Sequence, residues 1–359
     1  MSSDTVVRQV GIGFIGSGFI AEHYAAGLAF VPEARIVANA STRGGRGGAF
    51  GAAHGVDATY DTIEALCADP AVDLVVIALP NHLHLEAVRI AAAAGKGVLC
   101  TKPLGRNGDE AAEILRLVTD AGVFHGYLEN EVFSPDVIRL QEMVASGALG
   151  RVLTMRAREG HSGPHAAHFW DAETAGGGAF LDMGCHCIEA ARYIIGKDVA
   201  VTDVFAWGAT LAHADKTTGE DNAIAILRFE DGRTATIEAS WTAKGGIEVR
   251  NEIYCERGRI VHDLGSTPIR AFLQEPVGYL AEKTDADTGW VYPVADEPRV
   301  AGYDELFRHF VEAFATGATP RETFEDGYVV NTIIDAAYRS MRSGRWEAVT
   351  GVAVAAGGR

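Results

Sequence analysis

A glycine-rich turn, Gly16-Ser17-Gly18-Phe19-Ile20-Ala21, follows the short apolar run from Val10 to Ile15, and it restricts the fold more than any other stretch. Its spacing is G-x-G-x-x-A. Gly16 permits a tight strand-to-helix turn, Gly18 lets another group approach the main chain, and Ala21 lets helix and strand pack closely. The helix that follows presents free N–H groups and a positive dipole end, which suit a pyrophosphate.

The next segments continue in that style. Residues 34–41 (ARIVANAS) read as a second strand, about 20 residues past the glycines, where NAD-binding relatives of this turn place an acidic residue for the ribose hydroxyls. Here Ser41 is followed by Thr42, Arg43 and Arg46. A carboxylate would repel a 2′-phosphate, whereas two hydroxyls and two guanidiniums bind one through charge-assisted bonds. This pattern favours NADP(H) over NAD(H). The plain reading of the same stretch is a basic, glycine-rich surface loop.

Residues 74–79 (LVVIAL) form a continuous apolar run, as in a strand buried on both faces of a parallel sheet, and stop at Pro80-Asn81-His82. Another short strand at 96–100 leads into Thr101-Lys102-Pro103. Helical stretches lie between, at 63–68, 85–94 and 109–121. Strands alternating with helices imply an α/β Rossmann-type domain with a doubly wound parallel sheet. Ligands of such sheets sit beyond the carboxyl ends of strands, where Gly16, Ser41, Asn81 and Lys102 all fall.

From about Asn130 the pattern changes, which divides the chain at 1–129 and 130–359. A helix at 135–146 and an alternating strand at 151–158 precede a loop carrying His161, His165, His168 and Trp170. Gly176-Gly177-Gly178 then opens a helix predicted over 180–195, which places Asp182 and His186 four apart on one face. Alternating strands follow at 201–207, 223–229, 234–241, 249–255 and 259–263, with a hairpin at Asp231-Gly232. This half is α+β with a large, mainly antiparallel open sheet. Two helices, at 304–315 and 324–341, end the chain and have the option of packing back on the first domain.

Composition narrows the classes. At 359 residues and 48% apolar content the chain is long enough for two cores. A net charge of −17 argues against nucleic acid and anionic membranes as partners. No run approaches the length of a membrane span and no signal-like start is present, so a cytoplasmic protein is expected. Five cysteines without a C-x-x-C pair read as buried free thiols. His161, His165 and His168, with Asp182 or His186, also offer a zinc reading. Their spacing on a glycine- and proline-broken loop speaks against it, and no metal is expected. Tyr193 and Lys197 match a Y-x-x-x-K pattern by coincidence, outside the cofactor half and at a helix end.

Taken together, these residues resemble the glucose–fructose oxidoreductase / inositol dehydrogenase / MocA (Gfo/Idh/MocA) family. The resemblance runs from Val10 to about Glu347 and rests on GFIGSGFIAEHY, LPNHLH at 79–84, GKGVLCTKPL at 95–104 and GGGAFLDMGCHCIEAARYIIG at 176–196. It implies homodimers or homotetramers joined through the open sheet, and a sugar, polyol or related carbohydrate as substrate. The family's Glu-Lys-Pro is Thr101-Lys102-Pro103 here, so the glutamate's contribution near the nicotinamide ribose is missing. The cofactor site is expected at Gly16, Gly18, Phe19, Ile20, Ser41, Thr42, Arg43, Arg46, Pro80, Asn81, His84, Thr101 and Lys102. Lys102, Asp182 and His186 would be catalytic. His161, His165 and Trp170 would join them around the substrate.

The mechanism implied is hydride transfer at a hydroxyl or keto carbon. His186 is the expected acid/base, Asp182 is expected to orient it, and Lys102 is expected to carry a pKa lowered by burial and the cofactor ring. The alternatives are a redox-neutral lyase, epimerase or glycosidase of the same fold, or a non-catalytic NADP-binding sensor.

Overall fold

The computed structural model describes residues 9–41, 45–264, 271–276, 283–284, 286–291, 293 and 296–351. Six parallel strands build the first sheet: β1 (Val10–Ile15), β2 (Ala34–Ala40), β3 (Ala58–Tyr60), β4 (Leu74–Ile77), β5 (Gly97–Thr101) and β6 (His125–Leu128). Their order, β3-β2-β1-β4-β5-β6, reverses between β1 and β4 and so opens a crevice at the Gly16 turn. β1 and β4 are buried along their whole length, because helices cover both faces.

Those helices are α1 (Phe19–Leu28), α2 (Arg46–His54), α3 (Ile63–Ala68), α4 (His84–Ala93) and α5 (Gly108–Ala121). Val75 and Ile77 of the sheet pack with Leu66, Val88 and Ile114 of α3, α4 and α5, while Ile12 and Phe14 pack with Tyr24 and Phe50 of α1 and α2. Fully burying one such side chain is worth about 1.5–3 kcal/mol. Arg46, read from sequence as part of a loop, is instead the first residue of α2.

The second half begins with α6 (Pro135–Ala145) and β7 (Val152–Gly160), then the short helices α7 (Ala172–Ala175) and α8 (Ala179–Asp182). After α9 (Gly184–Ile195) come β8 (Val201–Ala209), β9 (Asn222–Phe229), β10 (Thr234–Ser240), β11 (Glu248–Cys255) and β12 (Gly258–Asp263). A two-stranded ribbon of β13 (Ala271–Leu273) and β14 (Gly289–Val291) follows. The helices α10 (Glu297–Val300), α11 (Tyr303–Thr316) and α12 (Phe324–Ser343) precede β15 (Glu347–Ala348).

The seven-stranded sheet runs β12-β11-β7-β10-β9-β8-β15, antiparallel except between β7 and β10. One face packs Met155, Leu227 and Ile237 against Ile188 of α9 and Ile334 of α12. The other leaves Trp207, Ile224 and Val261 exposed. Leu306, Phe307 and Phe310 of α11 complete the core around Tyr24 of α1, so this C-terminal helix packs on the Rossmann half. The hairpin at Asp231-Gly232 joins β9 to β10, with Gly232 at φ 86°. All five cysteines are buried and free.

The single helix expected over 180–195 is two helices. The break falls at Met183, and the Phe180 ring packs against Gly184, where an added Cβ would stand 3.0 Å from it. The break frees the Asp182 carbonyl from helical bonding, and Lys102 Nζ donates to that oxygen at 2.6 Å.

Candidate functional site

A cavity of about 1180 Å³ lies between the two halves. Single small-ligand pockets run to roughly 300–1,000 Å³, so there is room for a dinucleotide and a second ligand. At one end the backbone geometry admits only glycine at the first position of the turn. Gly16 has φ +106°, and a Cβ there would stand 2.3 Å from the Ala78 carbonyl oxygen. At Gly18 an added Cβ meets nothing within 4 Å, which is open space at the N-terminus of α1 of the kind a pyrophosphate occupies. The residues present therefore fit a dinucleotide.

Gly16, Gly18, Phe19, Ile20, Ser41, Arg46, Pro80, Asn81, Thr101 and Lys102 line the cavity, as the sequence suggested. Ser17 Oγ donates to Ser41 Oγ at 3.1 Å, which fixes the end of β2 beside the turn. Thr101 Oγ1 shares a 2.7 Å bond with the buried Tyr24 hydroxyl. Asn81 Nδ2 donates to the Ala175 carbonyl at 2.8 Å and ties the two halves together. Thr42 and Arg43 lie outside the described residues.

Two expected residues are elsewhere. His84 is fully buried, with its ring between the carbonyls of Leu79 and Leu104, and it does not line the cavity. It braces the loop after β4 against the loop after β5. Trp170 stacks at an angle on Trp241 and His213 and lies under Lys216, so it supports the histidine loop from behind.

That loop reaches the Rossmann half. The His165 ring stacks on Phe19 with centroids 5.0 Å apart, and His161 lies edge-on to His165 at 4.3 Å. His161 is buried, and its Nδ1 donates to the Gly163 carbonyl at 2.6 Å. Burial, with the neighbouring His165, pushes its pKa down to about 3, so it is a neutral ring. Both histidines line the cavity.

Lys102, Asp182 and His186 meet at the centre. β5 delivers Lys102, whose peptide to Pro103 is cis, and the α8–α9 break delivers the other two. Lys102 Nζ donates to the Asp182 carbonyl at 2.6 Å and to Asp182 Oδ1 at 3.2 Å. Trp241 Nε1 donates to Asp182 Oδ2 at 3.0 Å. Burial works against the ammonium, but Asp182 and the more distant Glu159 and Glu129 outweigh it and hold the Lys102 pKa well above its ordinary value. The expected lowering is thus reversed: Lys102 is a fixed cation. Burial alone would raise Asp182, yet Lys102, the two loop histidines and the Trp241 bond hold it at about 2.

Asp182 does not orient His186. Glu129 does, accepting from His186 Nδ1 at 2.6 Å, with both groups buried. Burial disfavours the imidazolium, but the Glu129 carboxylate overrides it and the His186 pKa is raised. A carboxylate can only accept, so Nδ1 carries the proton and Nε2 is left for a substrate.

Sequence reasoning missed Glu129, Glu131 and Glu159. Glu129 follows Leu128, the last residue of β6, in the same position relative to its strand as Lys102 after Thr101 of β5. That was the available signal, hidden because β6 is four residues long and begins with His125. Glu159 belongs to β7, which extends two residues beyond the predicted end of that strand.

Among the described residues, two clusters have metal-ligand spacing: Glu129, Cys185 and His186, and Glu189, Glu322 and Asp326. Neither includes the loop histidines. In the second, Lys197 Nζ lies within 3.1 Å of all three carboxylates, so the lysine of the Y-x-x-x-K pattern serves a buried ion-pair network.

Comparison with known proteins agrees with this architecture. Residues 10–127 match the model of an oxidoreductase family with an NAD-binding Rossmann fold, and 137–261 match the GFO/IDH/MocA C-terminal domain. The chain belongs to the Gfo/Idh/MocA family and is an NAD(P)-dependent oxidoreductase acting on CH–OH groups. Among its relatives, myo-inositol 2-dehydrogenase of Thermotoga maritima is 30% identical, over 93% of this chain and 97% of its own. D-xylose 1-dehydrogenase (NADP(+)) 2 of Haloferax volcanii is 33% identical, over 90% and 91%. The crystal structure of GenD2 from gentamicin A biosynthesis, in complex with NAD, superposes with a TM-score of 0.90 at 28% identity, covering 98% and 99% of the two chains. No helix among the described residues is long and apolar enough to cross a membrane.

Proposed function

We propose that the protein is an NADP(H)-preferring dehydrogenase that moves hydride between the nicotinamide and a hydroxyl or keto carbon of a sugar, polyol or related carbohydrate. The observation that carries this reading is the meeting of Lys102, Asp182 and His186 on the same cavity as the Gly16–Gly18 turn. The relatives named for inositol and xylose oxidation support the substrate class, and the one named for NADP(+) supports the cofactor. Ser41 and Arg46 on the cavity wall, with Arg43 beside them in sequence, are the groups for a 2′-phosphate.

A bound nicotinamide supplies the hydride acceptor or donor. In the oxidation direction His186 Nε2 takes the hydroxyl proton while Glu129 holds the ring and stabilises the imidazolium. Lys102 has two of its three N–H bonds committed to Asp182, and the third is available to the same substrate oxygen as alkoxide charge develops. Asp182 fixes that ammonium and accepts from a neighbouring substrate hydroxyl. The working enzyme is a cytoplasmic homodimer or homotetramer, joined over the sheet face that bears Trp207, Ile224 and Val261.

The test is reduction of NADP⁺ and NAD⁺ across a panel of sugars, polyols and inositols, with the reverse reaction on keto- and anhydro-sugars. Substrate-dependent absorbance change with NADP(H) is the expected result. Silence throughout, with cofactor retained by the purified protein, transfers the assignment to redox-neutral chemistry.

A further inference from the structure

The site contains more buried carboxyl groups than its own cations match. Lys102 is paired with Asp182 and His186 with Glu129, at the distances given above. Glu131 and Glu159 remain. They are 6% and 7% exposed, and both line the cavity. Asn251 Nδ2 donates to Glu131 Oε1 at 2.6 Å, whereas Glu131 Oε2 is buried without a hydrogen-bond partner. The Glu159 carboxylate accepts no hydrogen bond from any described residue. Its backbone is fixed in the ladder between Ala239 of β10 and Val249 of β11, so the group is held in place on the cavity wall.

We propose that Glu131 and Glu159 bind a cationic amino group of the substrate, which makes the substrate an amino sugar or aminocyclitol rather than a neutral polyol. The inference rests on the carbohydrate dehydrogenase reading above and assigns the recognition end of the same site. Burial, together with Glu159 for Glu131 and despite His186 and Lys102 for Glu159, raises both acids, Glu131 to about 8. A neutral polyol leaves Glu131 a buried neutral acid and offers Glu159 no charged partner. An ammonium draws out the ionised form, occupies the open oxygens and leaves the pair with one compensated charge. A divalent cation suits the pair less well, since neither glutamate belongs to a cluster with metal-ligand spacing among the described residues. Hydrogen bonds to a charged partner are worth roughly 10- to 100-fold in affinity.

The experiment uses matched compounds that differ at one position: D-glucose, D-glucosamine and N-acetyl-D-glucosamine, D-glucose and 3-amino-3-deoxy-D-glucose, and scyllo-inositol with scyllo-inosamine. Binding to the enzyme with reduced cofactor is measured by calorimetry, and kcat/KM is measured in parallel. In at least one set the amine is expected to exceed its hydroxyl and acetamide counterparts by roughly tenfold or more. That ratio falls toward one in Glu159→Gln and in Glu131→Gln. A wild-type ratio at or below one in every set overturns the proposal, and so does a ratio that survives in both variants while only cofactor affinity changes. Turnover of neutral sugars without amine preference overturns this inference alone. Absence of turnover overturns the dehydrogenase reading, and the calorimetric ratio then decides the amine site by itself. Should the variants not fold, the wild-type comparison of amine with acetamide decides it.

Discussion

Replacing Glu129 with Gln tests the hydrogen bond on which the acid/base assignment depends. The change is isosteric but removes one buried negative charge from His186 Nδ1, 2.6 Å away. Charge centres roughly 4 Å apart at an effective dielectric of about 20 interact by about 4 kcal/mol, which is the ceiling of the effect. A glutamine oxygen still accepts the N–H bond and recovers part of this, so the His186 pKa is expected to fall by less than that ceiling. Because Glu129 raises the His186 pKa, its loss lowers it. In the oxidation direction the acidic limb of kcat/KM against pH therefore moves to lower pH. The plateau falls by about 10- to 100-fold, since the base is weaker and the amide NH₂ can select the tautomer that protonates Nε2. The assay is steady-state NADP⁺ reduction across the pH range, with a thermal midpoint to show that the variant is folded. An unmoved acidic limb with kcat within about threefold of wild type would refute the role given to Glu129, and with it the identity of His186 as the base.

Lys102→Ala removes the fixed cation and leaves Asp182 buried without its partner, so turnover should fall by orders of magnitude and stability by about 3–5 kcal/mol, with NADPH binding retained. Unchanged turnover removes the lysine from the chemistry. Arg43→Ala combined with Arg46→Ala should weaken NADP(H) far more than NAD(H) in fluorescence titration, and equal losses would end the phosphate assignment. Trp207→Glu, on the open face of the seven-stranded sheet, should reduce the mass measured by light scattering to that of one chain. An unchanged mass removes that face from the interface.

The Rossmann half was legible because β1 and β4 are buried on both sides and their sequences are uninterrupted apolar runs ending at glycine or proline. β3 and β6 were not, being three and four residues long, with Thr59 and Tyr60 or His125 in place of aliphatic residues. Lys102, Asp182 and His186 were found through motifs, and the structure brings them to one cavity. Their electrostatics were not legible. The direction of the Lys102 shift depends on how burial compares with carboxylates distant in sequence, Glu129 and Glu159 among them. Asp182 and His186, four residues apart, looked like partners, but the break at Met183 sends one to Lys102 and Trp241 and the other to Glu129. His84 shows the converse: it sits in a recognisable motif, yet its ring braces two loops.

Glu159 stands on a strand whose main-chain bonds to β10 and β11 do not involve its side chain. The reacting groups come from elsewhere, from the end of β5 and from the helix break. A lineage can therefore exchange residues on the β7 wall one at a time and try new substrates while the hydrogen bonds of the proton-transfer apparatus stay in place, its charges being retuned only through the field of Glu159 at Lys102 and His186. Change of diet and change of chemistry thus fall on different elements of this architecture, joined by one electrostatic thread.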